Sequence, residues 1–217
     1  MAACLPGPAA ACRLALLLAL DVSSSVDARE YLLQRDGLAR ALIAPEVQTA
    51  FLSSRDPVAL AAYEWSGRYN QHIVLDWTLV RGPGDLLAAS HRLTQVRRSE
   101  DEFPTALGYA LGHAATLFAA APACLRRTID VSGDGVNNDG FAPGLAYRYF
   151  PLTDVTVNGL VIDQTEGRAE LVRYFQREVL RGPGAFVEEA EGYDDFERAM
   201  RRKLEREVSS IAVGMAR

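Results

Sequence analysis

The chain has 217 residues, carries a net charge of −5 at pH 7, and is 49% hydrophobic with 8% aromatic residues. This length and balance suit one globular domain with a core of its own, while the acidic charge and the lack of a Lys/Arg-rich stripe argue against non-specific nucleic-acid binding. No apolar stretch approaches the roughly 20 residues that cross a bilayer, so the protein is expected not to span a membrane.

The opening MAACLPGPAAAC has the small and apolar residues of an export leader without its basic start. Residues 1–12 are set apart as a leader-like or disordered segment, and residues 13–217 are expected to form a single domain. Arg13 to Leu20 is a continuous apolar run, the mark of a strand buried on both faces, and it stops at Asp21. Asp27 caps a helix to about Ile43, with Tyr31, Leu38 and Leu42 on one side and Pro45 ending it. Val58 to Tyr63 and Ile73 to Val80 read as strands, and the turn-like Ser66 to Asn70 between them predicts a hairpin and an antiparallel edge. Helices follow over Gly84 to Val96 and from Pro104 to about Ala120.

Thr128 to Val131 and Thr156 to Ile162 are the next strands, Glu166 to Leu180 an amphipathic helix, and Ala185 to Val187 a last short strand. A final helix spans Tyr193 to Ser209, with Phe196, Met200 and Leu204 at helical spacing. Arg198, Arg201, Arg202 and Lys203, interleaved with Glu197, Glu205 and Glu207, read as its solvated face. RGPG occurs at Arg81 and again at Arg181, a turn signature rather than a repeat. The alternation predicts a doubly wound α/β fold: a mostly parallel sheet with one antiparallel edge strand and helices on both faces.

In sheets of this kind ligands sit beyond the carboxyl ends of the strands. Asp21 and Asp134 each stand at such an end, after LLAL and IDVSG. Asp21, Ser23 and Ser25 alternate, so a loop leaving the strand turns three oxygens toward one point. Carboxylate, hydroxyl and water oxygens are the ligands a hard cation such as Mg2+ prefers.

Here the sequence resembles the von Willebrand factor A domains that carry a metal-ion-dependent adhesion site. Asp21, Ser23 and Ser25 match the family's Asp-x-Ser-x-Ser, Thr105 in FPTALGYAL matches its threonine, and Asp134 in IDVSGDG its later aspartate. The resemblance runs from about Arg13 to the end of the chain, and VNGLVI, RGPGAFVEEA and FERAMRRKLERE resemble a bacterial group of such domains of unknown function. One departure is Ser132-Gly133 before Asp134, where many members have a hydrophobic residue and Thr; the glycine is expected to loosen that turn. The resemblance implies a divalent cation, Mg2+ first with Mn2+ and Ca2+ as alternatives, held by Ser23, Ser25 and Thr105 through hydroxyls and by Asp21 and Asp134 partly through waters. It further implies a binding module rather than an enzyme, whose partner is a protein presenting an Asp or Glu carboxylate to the metal.

The competing expectation is an Mg2+-dependent phosphatase. GDGVNND, residues 133–139, is similar to a loop of haloacid-dehalogenase-type enzymes, in which Asp21 would be the nucleophile. Those enzymes use a second Asp two residues on as general acid, and here that position is Ser23, whose hydroxyl cannot protonate a leaving group at neutral pH. His72, His91 and His113 lack metal-ligand spacing and read as surface or helix-packing residues. Trp65 is expected in the core or at the rim of the metal face, and Asn137-Asn138 as a turn or a support beside Asp134.

Cys12 and Cys124 lie at nearly equal distances before Asp21 and Asp134. If the first and fourth strands are parallel neighbours, as this fold implies, both cysteines fall at the opposite end of that strand pair, within disulfide reach. The alternative is two small buried thiols, and Cys4 is left over. A formed bond favours the periplasm or exterior over the cytoplasm.

Overall fold

The computed structural model describes residues 12–214, with side chains to Ser209. The leader-like segment and Cys4 lie outside the described residues, Cys12 excepted. β1 (Leu14–Asp21) is buried along its whole length. It has β2 (Val58–Ser66) on one side and β4 (Arg127–Gly133) on the other, both parallel to it. β3 (Asn70–Val80) pairs antiparallel with β2, and β5 (Val155–Ile162) and β6 (Val187–Ala190) extend the parallel part, giving the order β3-β2-β1-β4-β5-β6. This is the doubly wound sheet with one antiparallel edge that the strand and helix alternation predicts.

Period-two alternation along β1 divides the core. Leu14, Leu16, Leu18 and Leu20 face α1 (Ala28–Leu42), α3 (Pro83–Thr94) and α7 (Phe196–Gly214), while Ala15, Leu17 and Ala19 face α4 (Leu107–Ala119). Asp27 caps α1 in a full capping box with Glu30. Two helices were not expected, α2 (Pro45–Phe51) and α5 (Pro143–Tyr149). Each has its proline in the first turn, where the missing N–H is no loss; Pro45 therefore opens a helix instead of only ending one.

The expected helix over 166–180 is α6 (Arg168–Tyr174) running into a π turn at Phe175–Val179. Phe175 packs on Gly159 of β5, where an added Cβ would stand 2.6 Å from its ring, so only glycine admits this approach. The last strand begins two residues later than expected because its ladder with β5 starts at Val187 opposite Gly159.

Cys12 and Cys124 form a disulfide, with α-carbons 4.3 Å apart, at the amino end of the β1–β4 pair. The register that joins them pairs Leu20 with Ser132, and one further step sets Asp21 at Gly133, just before Asp134. Among the described residues no helix is long and apolar enough to cross a membrane.

Candidate metal centre

β1 ends at Asp21, and its Oδ1 at once accepts the Ser23 amide at 2.9 Å, a side-chain turn that folds the loop back over the strand end. Ser23 Oγ then lies 3.2 Å from both Ser25 Oγ and Thr105 Oγ1, and the Ser25 hydroxyl donates to Asp134 Oδ1 at 2.7 Å. The fold thus brings Asp21, Ser23, Ser25, Thr105 and Asp134 into one continuous group at the carboxyl ends of β1 and β4.

Its electrostatics are one-sided. Asp21 is fully buried, and its Oδ2 has no hydrogen-bond partner among the described residues. Burial, and then the charge of Asp134, push the Asp21 carboxyl up to about 8; the Ser23 hydrogen bonds and Arg98 pull the other way. Asp134 is raised as well, by burial first, against the stabilising Ser25 bond. Tyr193, buried beside both, is pushed well above its usual value by burial and by the two carboxylates. Two carboxylates and three hydroxyls therefore converge, oxygen donors of the kind a hard divalent cation prefers.

The residues around this group were mostly not foreseen. Gly133 does not loosen a turn: it is the last residue of β4, paired with Val161, and a Cβ there would sit 3.1 Å from Asp21 Oδ2. Ser132 donates to Gln34 Oε1 at 3.2 Å, and Gln34 Nε2 donates to the Asp21 carbonyl at 2.9 Å, so α1, β1 and β4 are tied beneath the site. Arg98 holds the Val22 and Ser23 carbonyls at 2.9 and 3.0 Å and stands over the Tyr31 ring. Tyr31 in turn donates to the buried Glu64 at 2.8 Å.

The Asn137-Asn138 pair is more than a turn. Asn138 Oδ1 accepts the Thr105 amide at 2.8 Å, while the Asn138 and Asp139 amides donate to the Thr105 carbonyl at 3.0 and 3.2 Å. Asn137 Oδ1 accepts the Gly108 amide at 3.1 Å. Residues after β4 therefore grip the loop before α4 and set the Thr105 hydroxyl toward Ser23. Asp139, the acid of the phosphatase-like loop, is engaged elsewhere, in an ion pair with Arg68 at 2.7 Å.

Trp65 is core, fully buried. His72 and His91 are exposed, and His113 packs on the Tyr63 ring with its titration lowered, burial being the main cause. Lys203 corrects the reading of a solvated basic face: Arg198, Arg201 and Arg202 pair on the surface, but Lys203 is fully buried. Its place on the inner face of α7 sets it 2.9 Å from Asp130 of β4 and 2.7 Å from Glu207, counter-ions that make burial tolerable.

The architecture is that of the von Willebrand factor A fold. Proximal thread matrix protein 1 from the mussel byssus, in a structure with a zinc-occupied MIDAS motif, is 15% identical over 93% of this chain and 48% of that chain, with a TM-score of 0.62. The pilus adhesin SpaC from Lactobacillus rhamnosus GG is 13% identical over 92% of this chain and 31% of its own, at 0.63. A von Willebrand factor type A protein from Catenulispora acidiphila is 15% identical over 93% and 43%, at 0.55. This chain thus spans about half the length of these structures or less, and the likeness is one of fold. The chain itself belongs to the family DUF1194, described as a protein of unknown function, whose model matches residues 11–212. No curated protein matches it.

Proposed function

We propose that this protein is a divalent-cation-dependent protein-binding module. Asp21, Ser23, Ser25, Thr105 and Asp134 hold the cation, Mg2+ first, with Mn2+ and Ca2+ as alternatives. The cation offers an electrophilic position to an Asp or Glu side chain of a partner protein, and because Asp21 and Asp134 act partly through waters while the hydroxyls are neutral, the ion stays electrophilic toward that carboxylate. The observation that carries the reading is Asp21: fully buried, with Oδ2 unpartnered and a second carboxylate beside it. A charge in such surroundings needs a counter-charge. The fold likeness to a pilus adhesin and to a matrix protein with zinc in its MIDAS motif supports the same reading by analogy.

The Cys12–Cys124 disulfide supports a periplasmic or extracellular setting, since cytoplasmic thiols are kept reduced. Non-reducing peptide mapping of protein from an oxidising compartment tests it, and separately alkylated Cys12 and Cys124 peptides would remove this support. For the metal, the chelator-stripped protein is titrated calorimetrically with Mg2+, Mn2+ and Ca2+. Binding that is lost in Asp21→Asn and Asp134→Asn supports the site; a wild type that binds none of the three at millimolar concentration overturns it. Metal-dependent phosphoester hydrolysis that disappears in Asp21→Asn would favour the phosphatase instead.

A further inference from the structure

Beside Asp134 a cleft of about 520 Å³ opens at the carboxyl ends of β4 and β5, lined by Asp134 and Asp163 and, from α6 and its π turn, by Glu170, Arg173, Tyr174 and Arg177. Asp134 belongs both to this cleft and to the five-residue group, so a segment bound at one enters the other. The wall with the arginines is α6 and its π turn, and it is firmly seated. Phe175 and Val179 are fully buried, the Tyr147 hydroxyl donates to the Val179 carbonyl, and the Tyr174 hydroxyl accepts the Asn137 amide at 3.1 Å. π turns recur at functional sites because the extra residue re-aims the side chains that follow. Arg173 and Arg177 thus stand on a rigid base, one turn apart.

The acids in the cleft are already engaged. Asp163 Oδ1 accepts the Thr165 amide at 2.6 Å, Asp134 accepts from Ser25, and Glu170 lies 3.8 Å from Arg173. Arg177 makes no ion pair among the described residues. On the other side of Asp134 a second cleft of about 320 Å³ is lined by Glu30, Asp163, Gln164 and Tyr193, with no cation. Of the two clefts that Asp134 joins, only the one beside α6 therefore offers a bound segment positive charge.

We infer that the partner segment carries two acidic side chains, one for the cation and a second for Arg177, with Arg173 beside it. This rests on the metal-dependent reading above. Arginine presents a planar fork that matches a carboxylate with two parallel hydrogen bonds. Three carboxylates share the cleft, so a singly charged carboxylate suits it better than a doubly charged phosphate. In an extended segment, alternate residues share a face about 7 Å apart, which makes acid-x-acid the natural spacing to probe first.

The test uses C-terminally amidated peptides of equal length on a Gly/Ser background, read by fluorescence anisotropy against the whole protein in saturating Mg2+. The peptides carry no Glu, one Glu, or two Glu at adjacent, alternate or every-third positions. The best two-Glu peptide is expected to bind roughly tenfold more tightly than the one-Glu peptide, the effect of one added charge-assisted pair. Arg177→Gln, at an exposed position, should erase that gain while leaving the one-Glu affinity and the Mg2+ titration unchanged. Equal affinity of one-Glu and two-Glu peptides, or a gain that survives Arg177→Gln, overturns the inference. A peptide whose second Glu is replaced by phosphoserine and binds more tightly overturns the choice of carboxylate. If Mg2+ itself does not bind, the underlying reading falls and this one with it, whereas Mg2+ and one-Glu binding without a two-Glu gain defeats this inference alone.

Discussion

Two groups of carboxylates, one midway along β4 and one just past its carboxyl end, are balanced in opposite ways. Asp130, midway along the strand, lies with Glu207 against Lys203, whose ammonium is 2.9 Å from the first and 2.7 Å from the second, and Asn158 donates to Glu207 at 2.7 Å. Burial works against the Lys203 charge, yet the two carboxylates outweigh it and hold its titration high. Asp134, four positions further on, lies with Asp21 against three hydroxyls. The nearby guanidinium of Arg98 is spent on the carbonyls of Val22 and Ser23. Where the chain brings its own cation, the cluster fastens α7 to the sheet; where it brings only oxygens at a strand end, the proposed function has an external cation complete the charge balance.

The largest effect expected is at the internal cluster. Lys203→Met leaves Asp130 and Glu207 buried without their cation, and removing one partner of a buried ion pair costs about 3–5 kcal/mol. For a chain of this size that is a fall in Tm on the order of 10 °C, read by calorimetry of the chelator-stripped protein. Replacing Lys203, Asp130 and Glu207 together by Met and Leu should recover most of the loss, because no charge is then stranded. An unchanged Tm in the single variant would mean that Lys203 does not anchor α7.

At the strand-end group the order reverses. Above about pH 8, where the metal-free carboxyl is charged, Asp21→Asn should raise the Tm because it removes a buried charge facing Asp134, whereas the wild type should gain only when Mg2+ is added. At a cation concentration about 100 times Kd, mass action contributes about 2.7 kcal/mol, a rise of roughly 5–10 °C. The variant should show none. A destabilised metal-free Asp21→Asn would show that the carboxylate is already satisfied without a cation.

Acidity separates the two groups further. Asp21 is pushed up to about 8, and Asp130 to about 7, by burial first and then by Asp134 and Glu207 respectively. A carboxyl that titrates higher folded than unfolded binds its proton more tightly in the folded state, so stability falls as pH rises from about 4 through the folded value. Metal-free protein should therefore lose stability between about pH 4 and pH 8. Saturating Mg2+ should remove the Asp21 part of that slope, because the cation competes with the proton, and leave the Asp130 part, which Asp130→Asn should remove. A slope indifferent to both changes would refute the assignment.

The contrast also marks what local pattern can reveal. β1 and its Asp-Ser-Ser exit are contiguous, so an apolar run followed by alternating oxygens exposes both the strand and three of the five donors. Asp134 is marked by its place at the end of a later strand, whereas Thr105 is legible only through the pattern of a resembled family. Lys203 was hidden because helical phase gives its face but not Asp130, which arrives from a distant strand. The proline at 45 reads as a terminator, although it suits a first helical turn equally well. The π turn at Phe175 has no local signal, since it follows from the contact with Gly159 across the fold.

The smallest effect should come from the clamp on Thr105, where two backbone bonds remain if the side chain is lost. Asn138→Ala removes the acceptor of the Thr105 amide but keeps the Asn138 and Asp139 amides on the Thr105 carbonyl. An amide left partly buried without a partner costs about 1 kcal/mol, so Tm should drop by only about 2–4 °C. Metal affinity should fall further in proportion, by several-fold, because the Thr105 hydroxyl is no longer fixed 3.2 Å from Ser23. Asn138→Asp keeps the accepting oxygen and should restore both. Calorimetric titration with Mn2+ decides the matter: equal affinity in the Ala and Asp variants would make Asn138 a turn residue after all, and a loss confined to Ala would make it the positioning residue that links the loop after β4 to the cation.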